Sequence, residues 1–184
     1  SRQKELKKPT LSFEEFMEVV PKMITPNQVY KNNGDLTFTN TSSNWIDNNN
    51  FNSNGAAYAD LDNDGDLDII TNEFGDVPQV LMSDLSTGSQ PINYIKIKLK
   101  GAKSNRDALG ARVTVTSGSL TQTQVHDGQS GYLSQSSIPL YFGLGKMEKI
   151  DTIEVNWPSG AQTKLSRDLK INGTFEIIES ASSK

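Results

Sequence analysis

Between Ala59 and Ile70 the chain reads ADLDNDGDLDII, with carboxylates at every second position, Asp60, Asp62, Asp64, Asp66 and Asp68, and a glycine at Gly65. Like charges at this density repel one another unless something neutralises them. A hard divalent cation takes six to eight oxygens at about 2.4 Å, and a loop supplies them when carboxylates alternate and a glycine permits a sharp turn. On that pattern Asp60, Asp62, Asp64 and Asp68 offer side chains, and residue 66 offers its carbonyl while the Asp66 carboxylate points outward. The result is the first half of an EF-hand loop closed early, with Ile69 and Ile70 leading into a strand where an EF-hand continues to a helix. Five carboxylates favour calcium over magnesium, which prefers to keep its waters. The plainer alternative is a solvated acidic turn, since Asp-Gly is a common turn pair. Turn chemistry, however, asks for one or two such residues, not acids at five alternating places.

The remainder of the chain is electrically balanced. There are 18 basic and 22 acidic residues for a net charge of −4; without the five loop aspartates, 17 acids face 18 bases. That leaves no electrostatic footprint for nucleic acid or for an anionic membrane surface. Cysteine is absent, so disulfides, thiolate metal sites and cysteine nucleophiles are excluded together. No apolar run approaches the ~20 residues of a membrane span, and the opening SRQKELKKPT has no signal-peptide core. A start on Ser1 rather than Met is expected of a piece of a longer protein whose targeting signal lies upstream.

The elements that must position the loop are short. Ser12 followed by Glu15 fits a capping box, and Phe13, Phe16, Val19 and Val20 mark one helical face until Pro21. A hairpin is expected with strands around Val29–Tyr30 and Leu36–Phe38, followed by an asparagine-rich loop from Ser43 to Gly55. Strands are expected at Ala56–Ala59, Leu67–Asn72 and Gln79–Met82, on either side of and after the aspartate loop. Residues 84–91, DLSTGSQP, have a linker's composition. Beyond them period-2 alternation is clean in YIKIKLK and IDTIEVNW, and strands also fit Arg112–Thr116, Thr121–Val125, Leu140–Phe142, Thr163–Leu165 and Thr174–Ile178. Many short strands separated by turn signals predict a β-sandwich or barrel.

Other chemistry-bearing residues are weaker. His126 is the sole histidine, read as a surface or packing residue, although an acidic partner such as Asp127 or Asp151 could reach it after folding. Ser130, Ser134, Ser136 and Ser137 surround Tyr132 without a nucleophile elbow. GQSGYLSQ and FGLG lack the strand-glycine-helix setting of a phosphate cradle. Arg106, Asp107 and Arg112 could pair with one another or meet an acidic ligand, and a structural ion pair that stabilises a turn is the default reading. Lys96, Lys98 and Lys100 could meet an acidic glycan, but outward lysines on an edge strand more simply prevent edge pairing. Trp157 alternates with Val155 and reads as core, and Trp45 reads as an exposed aromatic.

NGAAYADLDNDGDLDII resembles the calcium loop of the FG-GAP, or VCBS, repeat of integrin-type β-propellers, and QVYKNNGDLTF resembles the closing strands of a preceding repeat, with Leu36 where a glycine is usual. KSNRDALGARVTV, SGYLSQ, LYFGLG and IDTIEVNWPSG resemble the ASPIC/UnbV domain. This order of domains is similar to that of large secreted bacterial proteins and of the cartilage acidic protein group. The resemblance implies a mainly β chain: an N-terminal helical segment over 1–27, partial β-propeller blades with a calcium loop over 28–83, a linker over 84–91, and a β-sandwich-like ASPIC/UnbV domain over 92–179. Only 90 residues precede Pro91, too few for the four or more blades of a closed propeller, so further blades of the same chain are expected upstream. The expected function is a non-catalytic calcium-binding module of a secreted, periplasmic or cell-surface protein, serving adhesion or the binding of a glycan or a protein. An accessory or active domain of a carbohydrate-processing enzyme, and a structural cap that finishes a propeller, are the alternatives.

Overall fold

A computed structural model of the chain describes residues 11–20, 25–46, 52–89, 91–128, 131–136, 139–166 and 169–180. Two compact units divide it, residues 1–52 and 53–184. In the first, helix α1 (Phe13–Val19) starts at the expected capping box: the Glu15 N–H donates to the Ser12 hydroxyl at 3.2 Å, and the Ser12 N–H to the Glu15 carboxylate at 2.8 Å. Pro21 lies outside the described residues. Strands β1 (Tyr30–Asn32) and β2 (Phe38–Asn40) form the expected antiparallel hairpin. At its turn Leu36 has φ +67° and is almost fully exposed. That left-handed conformation costs an L-residue about 1–2 kcal/mol and gives a backbone reason for glycine there. Part of the segment expected as loop is instead a single helical turn, α2 (Ser42–Trp45). The Asn40 side chain holds it, accepting from the Ser42 N–H at 3.0 Å and from the Ser42 hydroxyl at 2.7 Å.

The second unit opens with an antiparallel meander of β3 (Ser53–Ala59), β4 (Asp68–Glu73) and β5 (Gln79–Leu81). Strand β3 begins three residues earlier than expected, and its pairing with β4 has a register shift between Ser53 and Gly55. Within the segment expected as a linker the described residues are held in turns: the Gly88 N–H donates to the Asp84 carbonyl at 2.6 Å and the Ile92 N–H to the Leu85 carbonyl at 3.1 Å.

Two sheets follow. One has the order β11 (Gln162–Leu165), β10 (Thr152–Asn156), β7 (Arg112–Ser117), β8 (Leu120–Val125), all antiparallel. The other places β6 (Asn93–Lys100) between β12 (Thr174–Ile178), parallel to it, and β9 (Leu140–Gly145), antiparallel. Alternate residues of both sheets, among them Ile95, Ile97, Val113, Val115, Phe142 and Ile153, form one apolar cluster. Trp157 belongs to it as expected, its indole N–H donating to the Thr163 hydroxyl at 2.9 Å. Every buried apolar residue among those described lies between Ile95 and Ile177, so the sandwich carries its own core. One expectation fails here. Strand β6 is central, so Lys96, Lys98 and Lys100 do not guard an edge.

The sandwich is closed by a carboxylate that sequence patterning gives no reason to single out. Glu179 is buried just after β12 and accepts the N–H groups of Ala102, Lys103 and Ser104 at 2.8, 2.7 and 2.7 Å, together with the hydroxyls of Ser104 and Ser159. Burial alone pushes its pKa up, but the Ser159 hydroxyl and the three backbone donors outweigh that and hold it at about 2, below its ordinary 4.5. A depressed folded-state pKa adds stability that is complete above the unfolded value and is lost as pH falls through the folded one. Glu179→Gln is therefore expected to lower the melting temperature by several degrees at pH 7, with the gap to wild type closing between pH 4.5 and 2. Parallel melts across that range check it.

Candidate metal centre

The aspartate loop connects β3 to β4, and Asp68, the first residue of β4, pairs across the sheet with Ala59. Within the loop each acid braces the next turn of backbone: Asp62 accepts the Asp64 N–H at 3.2 Å, and Asp64 accepts the Asp66 N–H at 3.1 Å. The Asp66 N–H holds the Asp64 carboxyl below the usual range against a small opposing effect of burial. Asp68 is buried and works as a peg, taking the Leu61 N–H at 2.8 Å on one oxygen and the Ser83 N–H at 2.9 Å on the other.

Oxygens of Asp60, Asp62 and Asp68 lie within 4.8 Å of one another, the one such carboxylate group among the described residues. Asp64 and Asp66 fall outside it. The expectation that the Asp66 carboxylate points outward is wrong: Asp66 is 6% exposed, and one of its oxygens accepts the Ser86 N–H at 2.8 Å because residues 84–88 fold back over the loop. Its other oxygen is buried with no hydrogen-bond partner, and so is Oδ1 of Asp60. A buried ionised oxygen without a partner costs several kcal/mol, and a cation is the ordinary remedy. The donor set is all-oxygen and carries excess negative charge, which fits calcium.

The far wall of the loop is β6. Gly65 has φ +105°, and a Cβ there would stand 2.1 Å from the Tyr94 ring, so only glycine gives both the turn and the close approach. Lys96, two residues along the same face, sends its ammonium to Oδ2 of Asp60, whose side chain is 2% exposed. The rings of Tyr94 and Tyr141 flank that ammonium, with centroids at 5.5 and 5.2 Å. Burial pushes the Lys96 pKa down, but the Asp60 bond and the negative charge nearby raise it above the ordinary lysine value, so the ammonium stays charged. Sequence reasoning missed Lys96, Tyr94 and Tyr141 as neighbours of the loop. The alternation of β6 put Tyr94 and Lys96 on the face away from Ile95 and Ile97, but nothing local says what that face meets.

His126 is buried, 2% exposed. Burial pushes its pKa down, against the Asp107 carbonyl and the charges of Asp127 and Asp107, and its Nε2 is buried with no hydrogen-bond partner. It lines a cleft of about 380 Å³ with Tyr58, Gln124, Ser136 and Tyr141. Asp151 is engaged elsewhere, accepting the Gly118 N–H at 2.7 Å. Of the nearby serines, Ser134 donates to the Tyr132 carbonyl and Ser136 accepts the Tyr58 N–H; Ser130 and Ser137 lie outside the described residues.

A mainly β chain with an acidic loop at a β3–β4 turn and a following sandwich is matched by two family models. The FG-GAP-like repeat model matches residues 22–71, and the ASPIC and UnbV model matches residues 101–184. The chain therefore carries an FG-GAP-like repeat followed by an ASPIC/UnbV domain, a combination that indicates an extracellular module of the β-propeller type. It is also similar to cartilage acidic protein 1 of Xenopus tropicalis, 32% identical over 127 residues, and of Homo sapiens, 31% identical over 129 residues. Each alignment covers 67% of this chain and 19% of the relative, so the chain spans about a fifth of the curated relatives it matches.

Seating of the loop on β6 is open to a direct check. Gly65→Ala forces a methyl group into the Tyr94 ring and an L-residue into positive φ, and is expected to cost about 2–4 kcal/mol in chemical denaturation. Gly75→Ala, which also has positive φ but no neighbour within 4 Å, should cost only the conformational part, about 1–2 kcal/mol.

Proposed function

We propose that this chain is a non-catalytic, calcium-stabilised binding module of a protein acting outside the cytoplasm, engaging a glycan or another protein. The observation that carries the calcium part is the pair of buried, partnerless carboxylate oxygens, on Asp60 and Asp66, in a loop with three more acids. Asp60, Asp62 and Asp68 would hold the ion, with Asp64 and Asp66 adding negative charge around it. When bound, calcium neutralises the loop. The protein's own residues do the rest: Asp68 ties the loop to Leu61 and Ser83, Asp66 ties it to Ser86, and Gly65 seats it against Tyr94.

A structural ion is the simplest role, because carboxylates bound to a cation are held ionised and make poor general acids. The extracellular setting rests on the domain content and on the similarity to cartilage acidic protein 1. No helix among the described residues is long and apolar enough to cross a membrane. An FG-GAP repeat belongs to multi-blade propellers, so further blades would complete any surface for adhesion or for a partner. A second reading, catalysis, has one observation in its favour, the cleft beside His126. Against it, the free Nε2 has no nucleophile or carboxylate in hydrogen-bond contact among the described residues.

Calcium should raise the unfolding free energy by RT ln(1 + [Ca]/Kd), about 2.7 kcal/mol at a hundredfold excess over Kd. Calorimetry with Asp62→Asn, at an exposed position, should lose the calcium heat while the fold is kept. Equal melts in calcium and in chelator, together with an unchanged Asp62→Asn titration, would sink the metal assignment. On a panel of glycosidase, lyase and esterase substrates in calcium buffer no turnover is expected; turnover abolished by His126→Ala would favour the enzyme reading.

A further inference from the structure

Asp60 serves two masters. Its Oδ2 receives the Lys96 ammonium and its Oδ1 is buried with no partner, and the same residue belongs to the carboxylate group with Asp62 and Asp68. Lys96 comes from β6, in the middle of a sheet of the following domain, and not from the loop or its flanking strands. Its side chain is 12% exposed and lies between the rings of Tyr94 and Tyr141, with the Tyr141 hydroxyl 3.5 Å from the same Asp60 oxygen. A buried ammonium held in an aromatic slot cannot swing away into water at little cost, so its charge is a fixed part of the loop's surroundings.

We propose that Lys96 is an internal counter-cation that sets the calcium affinity of the aspartate loop by competing for Asp60. This rests on the reading of the loop as a calcium site and adds to it how that site is regulated. Two effects act in the same direction. A carboxylate that already neutralises an ammonium offers less negative potential to a second cation, and an ammonium and a divalent ion that share one carboxylate repel across a poorly screened interior. By linkage, calcium weakens the hold of Lys96 on Asp60 as much as Lys96 weakens calcium. The loop is thereby set to fill at a higher calcium concentration than its acids alone would require, and its filling is felt on β6 and at Tyr141 of β9.

The test titrates calcium chloride into the full chain by calorimetry, for wild type, Lys96→Met and Lys96→Arg. Methionine keeps an apolar stem and a sulfur between the two rings, and arginine keeps the charge. Lys96→Met is expected to bind calcium at least about tenfold more tightly than wild type, with Lys96→Arg within about threefold of wild type. In chelator Lys96→Met should melt below wild type, and the difference should shrink at saturating calcium. Unchanged or weaker binding by Lys96→Met, with wild type binding normally, overturns the proposal. Silent titrations for all three proteins would instead overturn the calcium reading and this inference with it. A variant-free readout covers the case in which the substitutions unfold the chain: the Lys96 Nζ resonance of ¹⁵N-labelled wild type should move on calcium addition, and a stationary signal overturns the competition.

Discussion

Negative charge held out of water is the constraint around which the second unit is arranged. Three of its acids in and after the loop, Asp66, Asp68 and Glu73, are nearly inaccessible to solvent, and the Asp60 side chain is 2% exposed. Such groups are tolerated only where donors or cations meet them. Backbone N–H groups of Leu61, Ser83 and Ser86 meet some of the oxygens, and the Lys96 ammonium meets another. The loop thus stitches together β3, β4, the turn segment after β5 and, through Lys96, the central strand of a sandwich sheet.

The two halves of this unit are stabilised by different physics. The sandwich buries aliphatic and aromatic side chains at alternate positions of two sheets, which is the ordinary hydrophobic route. The β3–β5 meander buries none among the described residues; its inaccessible side chains are polar, with Thr71 and Ser53 both donating to Oε1 of Glu73 at 2.6 and 2.7 Å. A sheet held this way gains little from apolar burial and depends on complete pairing of its polar groups. That Oε2 of Glu73 is itself buried without a partner places it with Asp60 and Asp66 as a site of residual electrostatic demand.

The Glu179 clasp shows the same principle without a metal. Five donors converge on one carboxylate and outweigh the cost of burying it, which fixes the turn at residues 102–104 against the end of β12. Both carboxylate sites sit where chain segments distant in sequence meet, and in both the acid, rather than an apolar contact, fixes the approach.

Local pattern alone determined a good deal: the capping box at Ser12, the positions of nearly all strands, the apolar faces of β6 and β10, Trp157 in the core, and an acidic loop of cation-binding composition. These are legible because period-2 alternation, capping chemistry and ligand spacing are short-range properties of the chain. Tertiary structure decided the rest. That β6 is central and not an edge, that Lys96 faces Asp60, that Asp66 turns inward to Ser86, and that Glu179 gathers donors from residues 102–104 all depend on strand order and on contacts between residues 20 to 77 positions apart. A sequence states which residues carry charge; which of those charges are taken out of water, and by what they are met, is settled only when the sheets have chosen their neighbours.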